Sequence, residues 1–312
     1  MTTIYKLSTG NVAVAEFGDP DGEPTFFFHG WPSSRTQARL AHVAAQNAGI
    51  RLISPDRPGI GQSTFQSGRR LLDWPSLLGE LADHMEIPHF RILAVSGGGP
   101  YALVSCWALP DRVKAAAVVC GAPPLAETSP GTELSVVYRW LLAAHRIRPT
   151  FVHGLFHIAR PFFRRRAPLW TRPWMLKALP LDDAEVLRDE QVFDICYSNF
   201  REAWDESAAG VIRDAEVYAA PWGFPVEEVR VPVRLWHGKS DQNFSWSLAE
   251  ALGKRIPDCT SRFIEGEGHY SLPIRRVREI LEDLRAARET AGERENVQLS
   301  TSNVQSGNGV QP

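Results

Sequence analysis

The chain lacks most of the features that commit a protein to a special environment. No window approaches the roughly 18 uninterrupted apolar residues of a membrane-spanning helix. The opening Met1-Thr-Thr-Ile-Tyr-Lys6 has no basic stretch followed by an apolar one, so no secretory signal is expected. Cysteine is scarce. Cys106, Cys120, Cys196 and Cys259 lie far apart in 312 residues, without the close pairs of a zinc site or a disulfide framework. Cys106 and Cys120 stand in apolar runs and read as small core residues. The expectation is a reduced, cytoplasmic protein with no metal and no cofactor. Charge of one sign is also missing. Lys plus Arg number 34 and Asp plus Glu 36, a net charge of -2. A nucleic-acid partner is therefore not expected, because such proteins carry a strong basic excess. The run Arg164-Arg165-Arg166 is a local exception and reads as a solvated helix end.

What is present fits a globular domain with a sizeable core: 44% hydrophobic and 22% charged residues. Strand-like runs alternate with helical stretches, which implies a mostly parallel sheet flanked by helices, an α/β fold. Strands are expected at 11–17, 25–28, 51–54, 90–95, 113–120, 231–237 and 262–264. Leu71, Trp74, Leu77, Leu78, Leu81 and Met85 recur at spacings of three and four and predict a helix over 71–85. Further helices are expected at 100–108 and 245–255, and a last one bearing Val277, Ile280, Leu281 and Leu284 on one face.

The alternation stops after Gly121-Ala122-Pro123-Pro124. Residues 122–227 are rich in Trp, Arg and Pro, with helical stretches such as 134–144 and 184–204. They read as a helical cap inserted into a core made of residues 1–121 and 228–289. The polar stretch 290–312 reads as a disordered tail.

The strongest chemical signal is Ala94-Val95-Ser96-Gly97-Gly98. An apolar strand runs into it and a helix begins at Pro100-Tyr101. This is the setting of a nucleophile elbow, where small neighbours allow a tight, strained turn. A phosphate-binding loop would need a Lys after the glycines, and none is there. A serine hydroxyl is a weak nucleophile until a base takes its proton. His269, in Gly266-Glu-Gly-His269-Tyr270 between a strand and the last helix, is the best base. His145, His153 and His157 lie in the cap; His42, His84 and His89 lie on or beside surface helices. His237 ends a strand and is expected to pack or hydrogen-bond the next turn. Asp241, in Trp236-His-Gly-Lys-Ser-Asp241, would orient the base. Ser96, Asp241, His269 is also the chain order such a fold requires. Two backbone N–H donors must meet the developing oxyanion. Gly97 and Trp31, in His29-Gly-Trp-Pro32, are the candidates. The stretch Asp56-Arg-Pro-Gly-Ile-Gly-Gln-Ser63 reads as a structural loop supporting the oxyanion side.

Over residues of about 10 to 285 the chain resembles the α/β-hydrolase superfamily, in its lid-bearing serine hydrolase branch. The resemblance rests on His29-Gly-Trp-Pro, Asp56 to Ser63, the elbow at Ser96, Trp236 to Asp241 and Gly266 to His269. It implies the catalytic triad Ser96, Asp241 and His269, with an oxyanion hole at Trp31 and Gly97. His29-Gly-Trp-Pro is similar to the oxyanion motif of epoxide hydrolases and haloalkane dehalogenases, which place Asp where this chain has Ser96. Serine attacks acyl carbon readily and alkyl halides poorly. The expected activity is hydrolysis of a carboxylic ester or lactone of a small apolar substrate. Aminopeptidase, carbon–carbon bond hydrolase and perhydrolase chemistry share the triad. A ligand-binding relative without turnover, or an interaction protein using its cap or tail, are the other classes. Trp31, Trp140, Phe162 and Trp170, with Trp174 and Phe163, are candidates to line the substrate pocket. Packing of the cap explains large aromatics equally well.

Overall fold

A computed structural model describes residues 2–128, 133–167 and 169–287. The expected tail lies outside the described residues. Among them, eight strands form one sheet in the order β1-β2-β4-β3-β5-β6-β7-β8. In chain order the first half contains β1 (Thr2–Leu7), β2 (Gly10–Gly18), β3 (Glu23–Phe28), α1 (His42–Asn47), β4 (Ile50–Pro55), α2 (Trp74–His84), β5 (Phe90–Val95), α3 (Gly99–Ala108) and β6 (Val113–Val119). β1, β2 and β4 pair antiparallel, and the pairs from β4 across to β8 are parallel. β1 was not foreseen. It is an edge strand, half exposed, with no apolar alternation to betray it.

The central strands read as continuous apolar runs because both faces of the sheet are covered. Every residue of β5 is buried. On one face Leu77, Leu78 and Leu81 of α2 pack with Tyr101 and Leu103 of α3. On the other face, Ala45 of α1 packs with Phe27, Leu93 and Val119 of the sheet.

Between β6 and the next strand comes the helical insertion: α4 (Val136–Ile147), α5 (Pro149–Arg164), α6 (Arg172–Lys177), α7 (Leu181–Val186), α8 (Glu190–Glu202) and α9 (Ala209–Ala219). The single helix expected over 184–204 is broken in two. Asp189 accepts from the Val192 N–H at 3.0 Å and caps α8, so the chain restarts there. The insertion buries Val152, Phe156, Trp204 and Val211 against Ile60 in the loop after β4. The sheet then resumes with β7 (Val233–Gly238), α10 (Trp246–Arg255), β8 (Cys259–Ile264), α11 (Ser271–Arg275) and α12 (Val277–Ala286). Ile280, Leu281 and Leu284 of α12 complete the second face. The loops after β3, β5, β7 and β8 meet at the carboxyl edge of the sheet, where open α/β sheets place their sites.

Candidate active site

Ser96 follows β5 directly, in the turn to α3. Its φ is 53°, a left-handed conformation rare for a residue with a side chain. The turn exists because its neighbours have no bulk. A Cβ on residue 98 would lie 2.2 Å from the Phe28 carbonyl oxygen, so only glycine fits there. Ala94 is fully buried and small enough to take the place a glycine often holds. The Ser96 carbonyl is tied back by the Ala122 N–H at 2.9 Å.

From this turn a hydrogen-bonded chain runs inward. Ser96 Oγ lies 2.9 Å from His269 Nε2, and His269 Nδ1 lies 2.7 Å from Asp241 Oδ2. Asp241 can only accept, so Nδ1 carries the proton and Nε2 accepts from the serine hydroxyl. Asp241 Oδ1 accepts from the N–H groups of Asn243 at 2.8 Å and Phe244 at 3.2 Å. His237 sits behind it as expected: its Nε2 is 3.0 Å from the Phe244 carbonyl and 3.3 Å from Asp241 Oδ2. Burial alone would raise the Asp241 carboxyl. The charge of His269 and the hydrogen bonds from His237 and His269 outweigh it and hold the group well below the usual range. Burial likewise pulls His269 down, but the charge and hydrogen bond of Asp241, with Asp183 adding, leave it above its ordinary 6.5. Cys120, buried at the end of β6, brings its thiol to within 4.8 Å of the ligand-type atoms of Asp241 and His269.

The loop after β3 carries Trp31 to the cavity that Ser96 lines. Arg57 fixes this loop from behind. Its Nη1 donates to the His29 carbonyl at 2.6 Å, its Nη2 to the Gly30 carbonyl at 2.7 Å, and its Nε to Asp214 Oδ2 at 2.7 Å. With the Gly30 carbonyl aimed at Arg57, the trans peptide points the Trp31 N–H the opposite way. That N–H has no acceptor among the described residues. Asp214 comes from α9 and also accepts from Arg69 and, at 3.2 Å, from the Tyr101 hydroxyl. Burial would raise the Asp214 carboxyl, but the charges of Arg57 and Arg69 hold it low. Tyr218, also on α9, donates to the Gly97 carbonyl at 2.9 Å.

A second carboxylate from the insertion reaches the His269 loop. Asp183 of α7 is buried and accepts from three successive amides: His269 at 3.1 Å, Tyr270 at 2.9 Å and Ser271 at 2.9 Å. Residue 268 is glycine because a Cβ there would lie 2.5 Å from Asp183 Oδ1. The sequence reading missed both acids of the insertion. Asp214 left a trace: it stands on the same helical stripe as Val211, Val217 and Tyr218, an acid among buried apolar positions. Asp183, next to Asp182, left none.

Ser96 and His269 open onto a cavity of about 170 Å³. Its walls are mostly apolar: Phe27, Leu93, Val95 and Val119 from the sheet, Ile274 and Val277 from α11 and α12. Asn199 and Phe200 of α8 close it from the insertion side. Trp31 lines it, as expected. Trp140, Phe162 and Trp170 do not, and this corrects the sequence reading. They are 48%, 75% and 72% exposed. The reason is helical phase. α5 turns Val152 and Phe156 inward, and Phe162 lies six residues beyond Phe156, on the far side of the helix. Trp174 is exposed too, and Phe163 does not line the cavity but packs behind it, on Phe200 and Trp204.

The sheet order and the inserted helices define an α/β-hydrolase architecture. The model of the alpha/beta hydrolase family matches residues 26–282, and the chain belongs to that family. A non-heme chloroperoxidase of Streptomyces lividans is 30% identical over 154 residues, 47% of this chain and 56% of that one. The chain spans 32% to 56% of the length of the curated relatives it matches. An esterase from Exiguobacterium antarcticum superposes with a TM-score of 0.65 at 20% identity, covering 92% of this chain and 98% of that one. A bromoperoxidase from Bacillus anthracis does so with a TM-score of 0.69 at 19% identity, covering 91% and 98%. Identities this low speak for the fold alone.

Proposed function

We propose that this protein is a serine hydrolase that cleaves a small, uncharged carboxylic ester or lactone through an acyl-enzyme. The observation that carries the reading is the Ser96–His269–Asp241 hydrogen-bonded chain opening onto an apolar cavity. In this reading His269 Nε2 takes the Ser96 proton as Oγ bonds to the carbonyl carbon. The oxyanion is held by the N–H groups of Trp31 and Gly97. Asp241 stabilises the imidazolium without itself taking the proton. The imidazolium then protonates the departing alkoxide, and the acyl group stays on Oγ. A water deprotonated by His269 releases it and regenerates the hydroxyl. No metal or cofactor enters these steps. An apolar cavity of ~150 Å³ holds a benzene molecule. The space beside Ser96 is therefore suited to a hydrocarbon group of about six carbons.

The test is labelling with a fluorophosphonate, followed by peptide mapping and turnover of p-nitrophenyl esters. A single adduct on Ser96, lost with His269→Ala, and ester turnover reduced by at least about 10³-fold in Ser96→Ala are expected. A folded protein that neither labels nor turns over esters sinks the proposal and favours a ligand-binding role. The likeness to the chloroperoxidase favours a second reading, perhydrolysis, in which hydrogen peroxide replaces water and a peracid leaves. Peracid formation exceeding hydrolysis of the same ester in peroxide would move that reading ahead.

A further inference from the structure

The insertion has an outer face that the proposed reaction does not use. From Leu134 to Leu181 the sequence has eight arginines, one lysine and no aspartate or glutamate, in a chain whose net charge is -2. The same stretch leaves large apolar side chains in solvent. On α5, Phe151, Leu155, Ile158 and Phe162 follow one another at spacings of four, three and four, which makes a single stripe. All four are exposed, Ile158 by 70% and Phe151 by 56%. On α4 the exposed Val136, Trp140 and Ile147 form a second stripe. The two stripes touch, with the Trp140 and Phe151 rings 6.4 Å apart edge to face. α5 thus has two apolar faces. Val152 and Phe156 are buried against the rest of the molecule, and the outward stripe is exposed. Trp170 and Trp174, later in the insertion, are exposed as well.

A soluble monomer rarely leaves a contiguous apolar face of this kind open. Its surroundings say what covers it. Arg146 and Arg148 sit at the α4–α5 turn and Arg165 at the far end of α5, exposed and with no carboxylate partner among the described residues. Asp205 and Asp194 reach Arg164 and Arg166 from outside this stretch and leave those three arginines to solvent. Apolar stripes with Trp and Phe, flanked by cations on helices that carry no acid, have the composition of helices that lie in a lipid headgroup layer. Aromatic rings settle at that boundary, and basic residues are drawn to an anionic surface. No helix among the described residues is long and apolar enough to cross a membrane, so the attachment is peripheral.

We infer that the α4–α5 face docks this protein on the surface of a membrane containing anionic lipid. The rings of Trp140, Phe151 and Phe162 enter the interface and the flanking arginines meet lipid phosphates. The docking does not depend on the proposed reaction, since no residue of the Ser96 chain takes part.

The experiment is co-sedimentation of the full chain with vesicles of phosphatidylcholine alone and with equal phosphatidylglycerol. The expected result is binding to the anionic vesicles at least tenfold tighter than to the neutral ones, weakening as salt rises. The double variant F151D/I158D should lose that binding at least tenfold while keeping the wild-type melting temperature. Those substitutions are at exposed positions, so the fold should survive them; Arg146→Glu with Arg148→Glu provides a second variant that leaves the apolar stripe whole. No vesicle binding, or equal binding to both vesicles, overturns the inference. So does self-association that the double variant abolishes in the absence of vesicle binding, which would make a second copy of this chain the occupant. Ester turnover is read separately on a soluble substrate. Vesicle binding without turnover removes the hydrolase reading alone, and turnover without vesicle binding removes the docking alone.

Discussion

At Ser96 the sequence places a hydroxyl in a backbone conformation that costs free energy, on the order of 1–3 kcal/mol. The flanking glycines allow the cost to be met by close packing of strand on helix. His269 is supported from two sides. Asp241 grips the ring through Nδ1, and Asp183 grips the backbone on either side of it. The two supports act differently, and this gives a prediction. Asp183→Ala should lower kcat by about 10- to 100-fold with little change in KM, because small misplacements of a reacting group cost that much. Asp183→Asn can still accept amide hydrogens and should recover part of the loss. The pH profile separates placement from general damage. In the proposed reaction His269 must be neutral to take the serine proton, and its pKa, raised above the ordinary 6.5, should carry the acid limb of kcat/KM upward with it. Both variants remove a negative charge beside the imidazole, so the limb should move to lower pH. The other groups around His269, namely Asp241, His237, Cys120, Tyr270 and Ser96, are unchanged in them. An unmoved limb, measured by kinetics or by NMR titration of His269, would reduce Asp183 to a structural role.

At the scale of elements, α9 behaves as part of the core. Its Asp214 pairs with Arg57 and Arg69, both buried, and Arg57 in turn holds the two carbonyls that set the Trp31 peptide. Removing one member of a buried charge cluster leaves the others unpaired, which typically costs 3–5 kcal/mol. Asp214→Ala should therefore lower the melting temperature markedly, and ester turnover should fall even at temperatures where the protein remains folded. Calorimetry with activity measured well below the transition checks both. A fully stable Asp214→Ala would mean that water enters and solvates the two arginines. α7 thus reaches the His269 loop directly and α9 the Trp31 loop through Arg57, so excising the insertion would take away more than a cover.

For the whole molecule, the cavity links the sheet, α11, α12 and α8, and no single element defines it. If it holds the acyl chain, Ile274→Phe should cut kcat/KM for a hexanoyl ester by at least about tenfold while acetate is nearly unaffected, since the reacting carbonyl sits outside the narrowed part. A uniform loss over both esters would point instead to a displaced α11 and His269. Much of this architecture was legible in the sequence. Strands and helices of the core announced themselves by buried apolar runs and by spacings of three and four. Ser96, Asp241 and His269 could be named because each follows a strand in a turn with a distinctive local composition. Such signals are local, and they survive in one dimension. Asp183, Asp214 and the cavity walls are not local: Asp183 meets His269 across 86 residues, and Arg57 meets Asp214 across 157. Size makes Trp140, Phe162 and Trp170 candidates for the pocket or for cap packing, but helical phase decides whether an aromatic faces in or out. Phase relative to a partner exists only once the helices are packed. The sequence by itself thus determined the class of fold and the hydrogen-bonded chain at its carboxyl edge, because periodicity and turn chemistry are properties of neighbours. Only the tertiary structure decided which carboxylates stand behind that chain, what lines the cavity and which apolar face is left for solvent, because burial is a property of surfaces brought together from distant parts of the chain.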